Sequence, residues 1–575
     1  MSHLARSLST FLALLLTGAP AVLAQSSPSP LPGVFTEVLD VRVVNLEVVV
    51  TDKDGVPVRG LGPDNFILEV DGEEVAVDYF TEVRGGVAAE VPPSQEIAGI
   101  AEIPAVVPGS PVSTSYLVFI DELFSLPPDR DAVLEALEAE LPRLGPEDRM
   151  AIVAFNGRDL EMLSTWTNSV PALTRVLKKA RERPTHGIQR LAEQRQYNFD
   201  RLLNVSTQLR AGQFDARAQT FFVNDLSPSE RFYLDQLTEH VEMSVAAATA
   251  TLRSFAQPPG RKVMMLYSGG WPYLPVSFLT SPFNWLILES GTVQGAELFQ
   301  PLTDAANLLG YTLYPVDVPG FADRLAEATV SNAAEFSRAD FGAIPQVAVA
   351  DSVFQRRQEL HYSLHFLADE TGGEAFIDAR RLAAFEGAVA DTRSYYWLGF
   401  TPTRGWDNQR HDIDVQVRTP GFKVRSRAGF LDSSRERDVT MAVESTLLFG
   451  SPPGHGNLQV AMGQPSKAGR KKMQVPLTVV IPLDEVIFLP VENGQVAELE
   501  LRVAVRDDQG RGAEIPVVPL VIQADSPPKK GAVSRFETSL KLRRYPHRAV
   551  VAIYDRASGR ILSATTEISP ETPPK

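Results

Sequence analysis

The sequence predicts an α/β fold: a doubly wound parallel sheet flanked by a small N-terminal β unit and a C-terminal antiparallel β-sandwich. The run Tyr116–Ile120 is apolar throughout and ends on Asp121. Such a run is typical of a strand buried on both faces, in the middle of a parallel sheet. Similar runs alternate with helical spacing as far as Ile377, which predicts right-handed crossovers. After residue 438, strand follows strand without a strong helix.

The composition is that of an ordinary globular protein of several domains. The chain has 575 residues, of which 44% are hydrophobic and 22% are charged. Its formal net charge of -16 argues against nucleic acid or an anionic membrane as a partner, because phosphates attract basic surfaces. The chain contains no cysteine, which excludes disulfides, thiol catalysis and cysteine zinc sites.

The first residues predict export. Arg6 precedes the short apolar stretch Phe11–Leu16, and Val22–Ala24 has the small residues of a cleavage site. We therefore expect a signal peptide over residues 1–24, followed by a Ser- and Pro-rich linker over 25–34. The sequence offers no transmembrane segment, so we expect the periplasm, the cell surface or the extracellular medium.

Residues 35–85 are expected to form the small β unit. Alternating apolar residues over Val44–Val50 predict a half-buried strand, and Phe66–Val70 and Val75–Phe80 predict a hairpin that turns at Asp71–Gly72. The acidic turn at 52–54 lacks the ligand spacing of a calcium loop. Residues 86–113 are rich in Pro, Ala and Gly and are interpreted as a linker.

Residues 114–432 are expected to form the α/β domain, with inserted helices over 186–256. Three segments are expected to close this domain: Tyr395–Phe400, His411–Val417 and Lys423–Ala428. After Tyr116–Ile120, the predicted strands within it are Asp148–Phe155, Met162–Trp166, Lys262–Tyr267, Tyr311–Val316 and Ala375–Ile377.

Residues 438–570 predict a sandwich of immunoglobulin-like size without the disulfide that often pins one. Its clearest strands are expected to be Thr440–Phe449, Met473–Ile481, Ala497–Val505, Phe536–Leu542, Ala549–Tyr554 and Arg560–Glu567.

Several separate motifs resemble a known family, the VWFA-related proteins described mainly from Acidobacteria. The motifs are Val49–Val58, Leu61–Phe66, Leu367–Phe376, Tyr395–Pro402 and Arg425–Phe430, so that the resemblance covers about residues 36–432. It implies an exported, multidomain protein with a von Willebrand factor A-like domain over residues 114–432. It does not imply a reaction.

The A-like fold usually binds one divalent metal at its strand ends, through Asp-x-Ser-x-Ser, a Thr and a further Asp. Asp121, Ser125 and Thr185 match three of these positions and form a tentative, incomplete metal site for which Mg²⁺ would be the ion. Leu123 stands at the first Ser position, and Ser268 or Gly269 stands where the second Asp is expected. Two alternatives stay open: Glu122 substitutes as a ligand, or Asp121 caps the next helix or the loop amides. No catalytic or cofactor-binding residue is assigned.

Two further features bear on function. His361 and His365 share a helix face, but Tyr362 occupies the position at which a zinc protease has its Glu. The segment 271–285 is rich in rings, and it either packs locally or contacts a partner. Its aromatic residues are Trp271, Tyr273, Phe278, Phe283 and Trp285.

These observations favour an exported, non-enzymatic protein that binds protein partners, as an adhesion or scaffold component. The partner is expected at the strand-end face, near Asp121, Ser125, Thr185 and the 271–285 loop. One alternative is a hydrolase that uses a metal at Asp121. A second alternative is a purely structural envelope protein whose metal site is vestigial.

Overall fold

The structure is a computed structural model that describes the chain in segments. The predicted signal peptide 1–24, the linker 25–34 and most of the linker 86–113 lie outside the described residues. The described residues are 44–89, 109–210, 220–222, 228–255, 260–279, 286–288, 295–319, 346–402, 407–432, 439–440, 443, 447, 458–491, 494–507 and 517–569.

The first described segment, residues 44–89, contains five short strands. Asp71 and Gly72 both have positive φ angles, 53° and 78°, which the tight turn between the second and third strands requires. The predicted hairpin is therefore present at this turn, but its returning strand is only two residues long. The five strands are β1 Val44–Thr51, β2 Phe66–Val70, β3 Glu73–Glu74, β4 Tyr79–Arg84 and β5 Val87–Ala88.

Strands and helices then alternate. All eight residues of the strand Thr114–Asp121 are buried, as expected for its unbroken apolar run. The elements, in chain order, are β6 Thr114–Asp121, α1 Pro127–Glu140, β7 Arg149–Phe155, β8 Leu160–Thr167, α2 Val170–Arg181, α3 Gly187–Arg210, β9 Thr220–Phe222, α4 Pro228–Ser254, β10 Arg261–Ser268, β11 Leu286–Leu288, α5 Ala296–Leu309, β12 Tyr311–Asp317, α6 Gln346–Glu370 and α7 Ala384–Thr392.

Five of these strands form one mixed sheet in the order β12-β10-β6-β7-β8, with β6 at its centre. The first four are parallel, and β8 pairs antiparallel with β7. Helices α1, α2 and α7 pack on the face that carries Tyr116 and Val118. Helices α3 to α6 pack on the face that carries Leu117 and Phe119. The carboxyl ends of β6, β10 and β12 therefore meet at one edge of the sheet.

The next four strands return to the start of the chain. They are β13 Ser394–Phe400, β14 Arg410–Val417, β15 Lys423–Arg425 and β16 Gly429–Leu431. β13 lies between β1 and β4, and β14 lies between β2 and β16, with antiparallel pairing throughout. Apolar side chains of both sheets, such as Leu46, Leu68 and Leu398, share one core. Residues far apart in the chain thus form a single antiparallel β structure.

The C-terminal strands form two antiparallel sheets that share a core, to which Val475, Leu477, Leu499 and Val551 contribute. One sheet contains β17, β18, β19 and β23, and the other contains β20, β21, β22, β24 and β25. Their bounds are β17 Gln459–Met462, β18 Ser466–Lys467, β19 Lys472–Pro482, β20 Leu489–Val491, β21 Gly494–Asp507, β22 Val517–Ala524, β23 Val533–Arg543, β24 His547–Asp555 and β25 Ile561–Ile568.

The predicted fold class, a doubly wound parallel sheet with flanking β units, is wrong for this chain. Among the described residues most sheets are antiparallel, and parallel pairing is found for β6, β7, β10 and β12, for the short pair β9–β11 and for the isolated bridge between Val316 and Phe376. The strands over 394–431 do not close the α/β unit, because they pair with β1, β2 and β4 instead. The prediction was wrong for β13 because its apolar run is buried on both faces, as in a central parallel strand. Burial alone does not show whether a strand pairs parallel or antiparallel.

A second correction concerns Thr440–Phe449, which was predicted as a strand. Val439, Thr440, Val443 and Leu447 are helical in the structure. Val439, Val443 and Leu447 pack on Ala504 and Val550 of the C-terminal sheet. Their spacing of four residues places them on one face of a helix, so that helical periodicity outweighs β propensity here.

The shared core of the N-terminal strands and β13 gives a test. We expect Leu46→Ala to lower the free energy of unfolding by about 2–5 kcal/mol, because the side chain is fully buried and its removal leaves a cavity. Hydrogen–deuterium exchange should accelerate in residues 394–400 as well as in 44–51, since Leu46 pairs with Leu398. Val56→Ala is the control, because Val56 is 57% exposed. Acceleration confined to residues 44–85 would show that the two segments are energetically separate.

Candidate functional site

The Asp121 carboxylate, at the carboxyl end of β6, is the centre of a buried hydrogen-bond network. Oδ1 accepts the backbone N–H groups of Leu123 at 2.9 Å and Phe124 at 3.3 Å. Oδ2 accepts the Ser268 hydroxyl at 2.7 Å and the Trp271 indole N–H at 2.8 Å. Asp121 is completely buried. Four donors from two strand-end loops therefore converge on one carboxylate, and both of its oxygens are engaged.

Burial sets the charge behaviour of this group. Loss of water around the carboxylate raises the pKa of Asp121 to about 6, although all four hydrogen bonds oppose the rise. Hydrogen bonds to the charged form favour ionisation, whereas transfer out of water disfavours it, and the latter effect is the larger here.

Ser125 and Thr185, the other predicted ligands, lie on loops that the structure brings together. The fully buried Ser125 donates its hydroxyl to the backbone oxygen of Asp121. The loop that carries Thr185 is hydrogen-bonded to the loop after β6, because the His186 N–H donates to the backbone oxygen of Glu122 at 2.7 Å. The Thr185 hydroxyl is buried without a hydrogen-bond partner among the described residues.

Glu122 does not act as a substitute ligand beside Asp121, because its carboxylate is paired elsewhere. Arg183 donates to it through Nε at 2.6 Å and Nη2 at 3.2 Å. A second guanidinium, that of the buried Arg130, lies 4.0 Å from the same carboxylate. The hydrogen bond that Arg183 donates to Glu122 is also the main reason why the pKa of Arg183 is raised. This ion pair clamps the 183–187 loop onto the end of β6.

The contacts of Asp121 and Ser125 favour the capping alternative over a magnesium site. Mg²⁺ requires oxygen ligands in near-octahedral geometry. Both Asp121 oxygens instead accept protein hydrogen bonds, the Ser125 hydroxyl faces a backbone oxygen, and Leu123 has no side-chain oxygen. The four protein N–H and O–H donors thus satisfy the negative charge of the Asp121 carboxylate. The structure thus supports the alternative in which Asp121 caps the following loop, and the metal assignment stays a prediction.

A second carboxylate occupies the equivalent position on β12. Asp317 is in register with Ser268, and burial raises its pKa to about 6. Its neighbours are His361 Nε2 at 3.8 Å and Arg381 Nη1 at 3.9 Å. Burial also lowers the pKa of His361. Our sequence reasoning missed Asp317, although the rule that singled out Asp121, an acidic residue that ends a buried strand, applies to it equally.

The aromatic loop after β10 packs inward where the structure describes it. Trp271 and Phe278 are both completely buried. The Tyr273 ring stacks on Phe299 with centroids 5.7 Å apart and meets Tyr362 edge-on at 4.6 Å. Local packing, one of the two predicted alternatives, therefore describes Trp271 and Phe278. The other two rings of this loop, Phe283 and Trp285, lie outside the described residues.

Comparisons with known proteins identify no family. No protein-family model matches the chain, and no curated protein does. Among solved structures, a Bacteroides uniformis beta-glucuronidase is similar at 11% identity and a TM-score of 0.15, covering 30% of this chain and 19% of its own. The pilus adhesin SpaC from Lactobacillus rhamnosus GG is similar at 8% identity and a TM-score of 0.22, covering 79% of this chain and 56% of its own. The present chain thus spans less than a fifth of the glucuronidase, and likenesses at these scores carry no argument about function. The resemblance to VWFA-related proteins stays a prediction.

The sequence predicted no transmembrane segment. Within the described residues, no helix is both long enough and apolar enough to cross a bilayer.

The buried carboxylate predicts a particular pH dependence. Because the pKa of folded Asp121 lies above the ordinary aspartate value of 3.8, the native state binds more protons than the unfolded state between about pH 4 and 6. This group therefore makes the protein less stable as pH rises through that window, by a total on the order of 3 kcal/mol. We expect the free energy of unfolding of Asp121→Asn, minus that of the wild type, to increase by this amount between pH 4 and 7. Urea unfolding at a series of pH values measures the difference.

Asp317 titrates in the same pH window in the wild type and in Asp121→Asn, so its contribution cancels when the two free energies of unfolding are subtracted. Ser268→Ala provides the companion variant. It removes a hydrogen bond that lowers the pKa of Asp121, so that the loss of stability should extend to higher pH. A difference between wild type and Asp121→Asn that stays flat from pH 4 to 7 would mean that Asp121 is not perturbed.

Proposed function

We propose that the protein is an exported, non-enzymatic protein that binds protein partners, as an adhesion or scaffold component. The observation that carries this proposal is the saturation of Asp121 by four protein donors. A carboxylate held in this way fixes loop geometry and offers no free oxygen to a substrate. Export rests on the leader-like residues 1–24.

Two exposed side chains, Ile188 in α3 and Tyr362 in α6, lie next to the loops that Asp121 fixes, and they supply the contact surface in our proposal. Ile188 is 59% exposed and follows Gly187, whose N–H donates to the Ser125 oxygen at 3.2 Å. Tyr362 is 55% exposed and rests on the Tyr273 ring of the loop after β10. We call Ile188 and Tyr362 the rim pair. Apolar and aromatic side chains on a rigid base are typical anchors of protein interfaces.

Asp121 and Ser125 have a supporting role in this proposal. Both are completely buried, so a partner that docks on the folded protein does not reach them. Asp121 and Ser125 hold the neighbouring loops in position, and the rim pair makes the contact with the partner. The antiparallel strands at either end of the chain act as spacers or as additional contact surfaces.

The alternative of a metal-dependent hydrolase has weaker support. It needs an open coordination position at Asp121, and the donors around that carboxylate do not fit a cation.

Site-directed photo-crosslinking tests the contact surface. A photoreactive residue at position 188 or 362 should capture a discrete partner from the exported proteins of the producing cells. With that partner in hand, we expect Ile188→Glu combined with Tyr362→Ser to weaken binding about tenfold or more, because interface anchors contribute over 1 kcal/mol each. The matched control is Val56→Glu, at a residue that is 57% exposed in the N-terminal turn. Equal binding by the rim-pair variant and the control would reject this surface.

A further inference from the structure

Three potential metal ligands converge at the end of the sheet that contains β14. They are Asp407, in the loop before β14, His411 on β14, and Asp432, directly after β16. One ligand atom from each lies within 4.8 Å of the other two. His411 and Asp432 are buried, whereas Asp407 is exposed. The cluster is remote in sequence from the Asp121 network and plays no part in the function proposed above.

A fourth residue orients the imidazole. The carboxylate of Asp71, in the turn after β2, lies 2.8 Å from His411 Nδ1 through Oδ2. Its other oxygen accepts the Asp412 backbone N–H at 3.0 Å, so the carboxylate is itself held in place. With Nδ1 directed to Asp71, Nε2 is the ring nitrogen left for a metal ion, and Asp407 Oδ2 lies 3.2 Å from it. Metal-binding histidines almost always donate their second ring nitrogen to a carboxylate or carbonyl in this manner.

The backbone holds the ligand-bearing loops together. Asn408 N–H donates to the Asp432 oxygen at 2.9 Å, and Asp432 N–H donates to the Gln409 oxygen at 2.9 Å. The Asp407 N–H also approaches Asp432 Oδ2 at 3.3 Å. The Phe430 ring stacks on His411 with centroids 5.1 Å apart. The positions of the ligands are thus largely fixed in the fold.

The surrounding charge favours a cation. Asp71 Oδ2 lies 2.8 Å from Nδ1 of His411, Asp407 Oδ2 lies 3.2 Å from Nε2, and Asp432 belongs to the same cluster. Three carboxylates around one imidazole attract a metal ion.

We propose that Asp407, His411 and Asp432 bind a divalent transition metal ion of the Zn²⁺ class, with Asp71 as the residue that positions His411. One imidazole nitrogen and two carboxylate oxygens suit zinc, and water would complete a tetrahedral shell. Zinc bonds of about 2.0–2.2 Å place tetrahedral ligands roughly 3.3 Å apart, so the widest pair must close by at most roughly 1.5 Å. Asp407 can supply this movement because it lies on an exposed loop.

The position of the site indicates its role. It joins the turn after β2 to the ends of β14 and β16, and hence residue 71 to residues 407–432. An ion that binds only the folded protein would strengthen this connection between distant parts of the chain. The site is therefore structural, and its existence does not depend on the partner-binding function.

Calorimetric titration of the full, metal-stripped protein with Zn²⁺ tests the proposal. We expect one ion per chain and an X-ray absorption spectrum that shows imidazole nitrogen together with oxygen ligands. Asp71→Asn should weaken binding about 10- to 100-fold through loss of the imidazole anchor. Asp407→Asn should weaken it at least as much, through loss of a ligand.

Asp414→Asn is the matched control, because Asp414 is an exposed aspartate on the same strand and lies outside the cluster. It should bind zinc as the wild type does. Circular dichroism without metal will verify that each variant is folded. Failure of the folded wild type to bind zinc would overturn the proposal, as would zinc binding that Asp407→Asn leaves unchanged.

Discussion

The buried carboxylate of Asp121 is the constraint on which the edge of the central sheet depends. A charge-bearing group without solvent must be compensated, and here four hydrogen-bond donors from two loops compensate it. Because Ser268 ends β10 and Trp271 lies in the loop that follows, the network ties the end of β10 and that loop to the end of β6. The ion pair between Glu122 and Arg183 adds the 183–187 loop to the same assembly. The strand ends are thereby a rigid platform whose polar groups are largely turned inward.

A second constraint joins the beginning of the chain to its middle. β13 and β14 pair with β1, β2 and β4, so the chain leaves its N-terminal strands, builds the α/β layers and then returns. In sequence, the α/β region therefore lies between two groups of strands that together form one antiparallel β structure. The cluster around His411 lies on this structure, and Asp71 contributes to it from 340 positions away in sequence.

The sequence was most informative where the signal is local. The apolar run before Asp121 predicted a fully buried strand that ends on an acidic residue, and both features are present. The chain's topology was less accessible, because an apolar run such as Tyr395–Phe400 reports burial and not strand direction. Trp271 was noted only as an aromatic residue. Nothing in its local sequence shows that its indole N–H reaches Asp121, 150 positions away. The segment Thr440–Phe449 was predicted as a strand, although Val439, Val443 and Leu447 recur at helical spacing.

The central claim is that donors of the protein itself, and not a metal ion, satisfy Asp121. The most direct measurement is thermal unfolding of the chelator-treated protein with and without millimolar Mg²⁺, for the wild type and for Asp121→Asn. Our account predicts the same melting temperature in both conditions for each protein, apart from any constant offset between them. A magnesium-dependent rise in the wild type that is absent from Asp121→Asn would contradict it, because only binding to the folded site through that carboxylate produces such a difference.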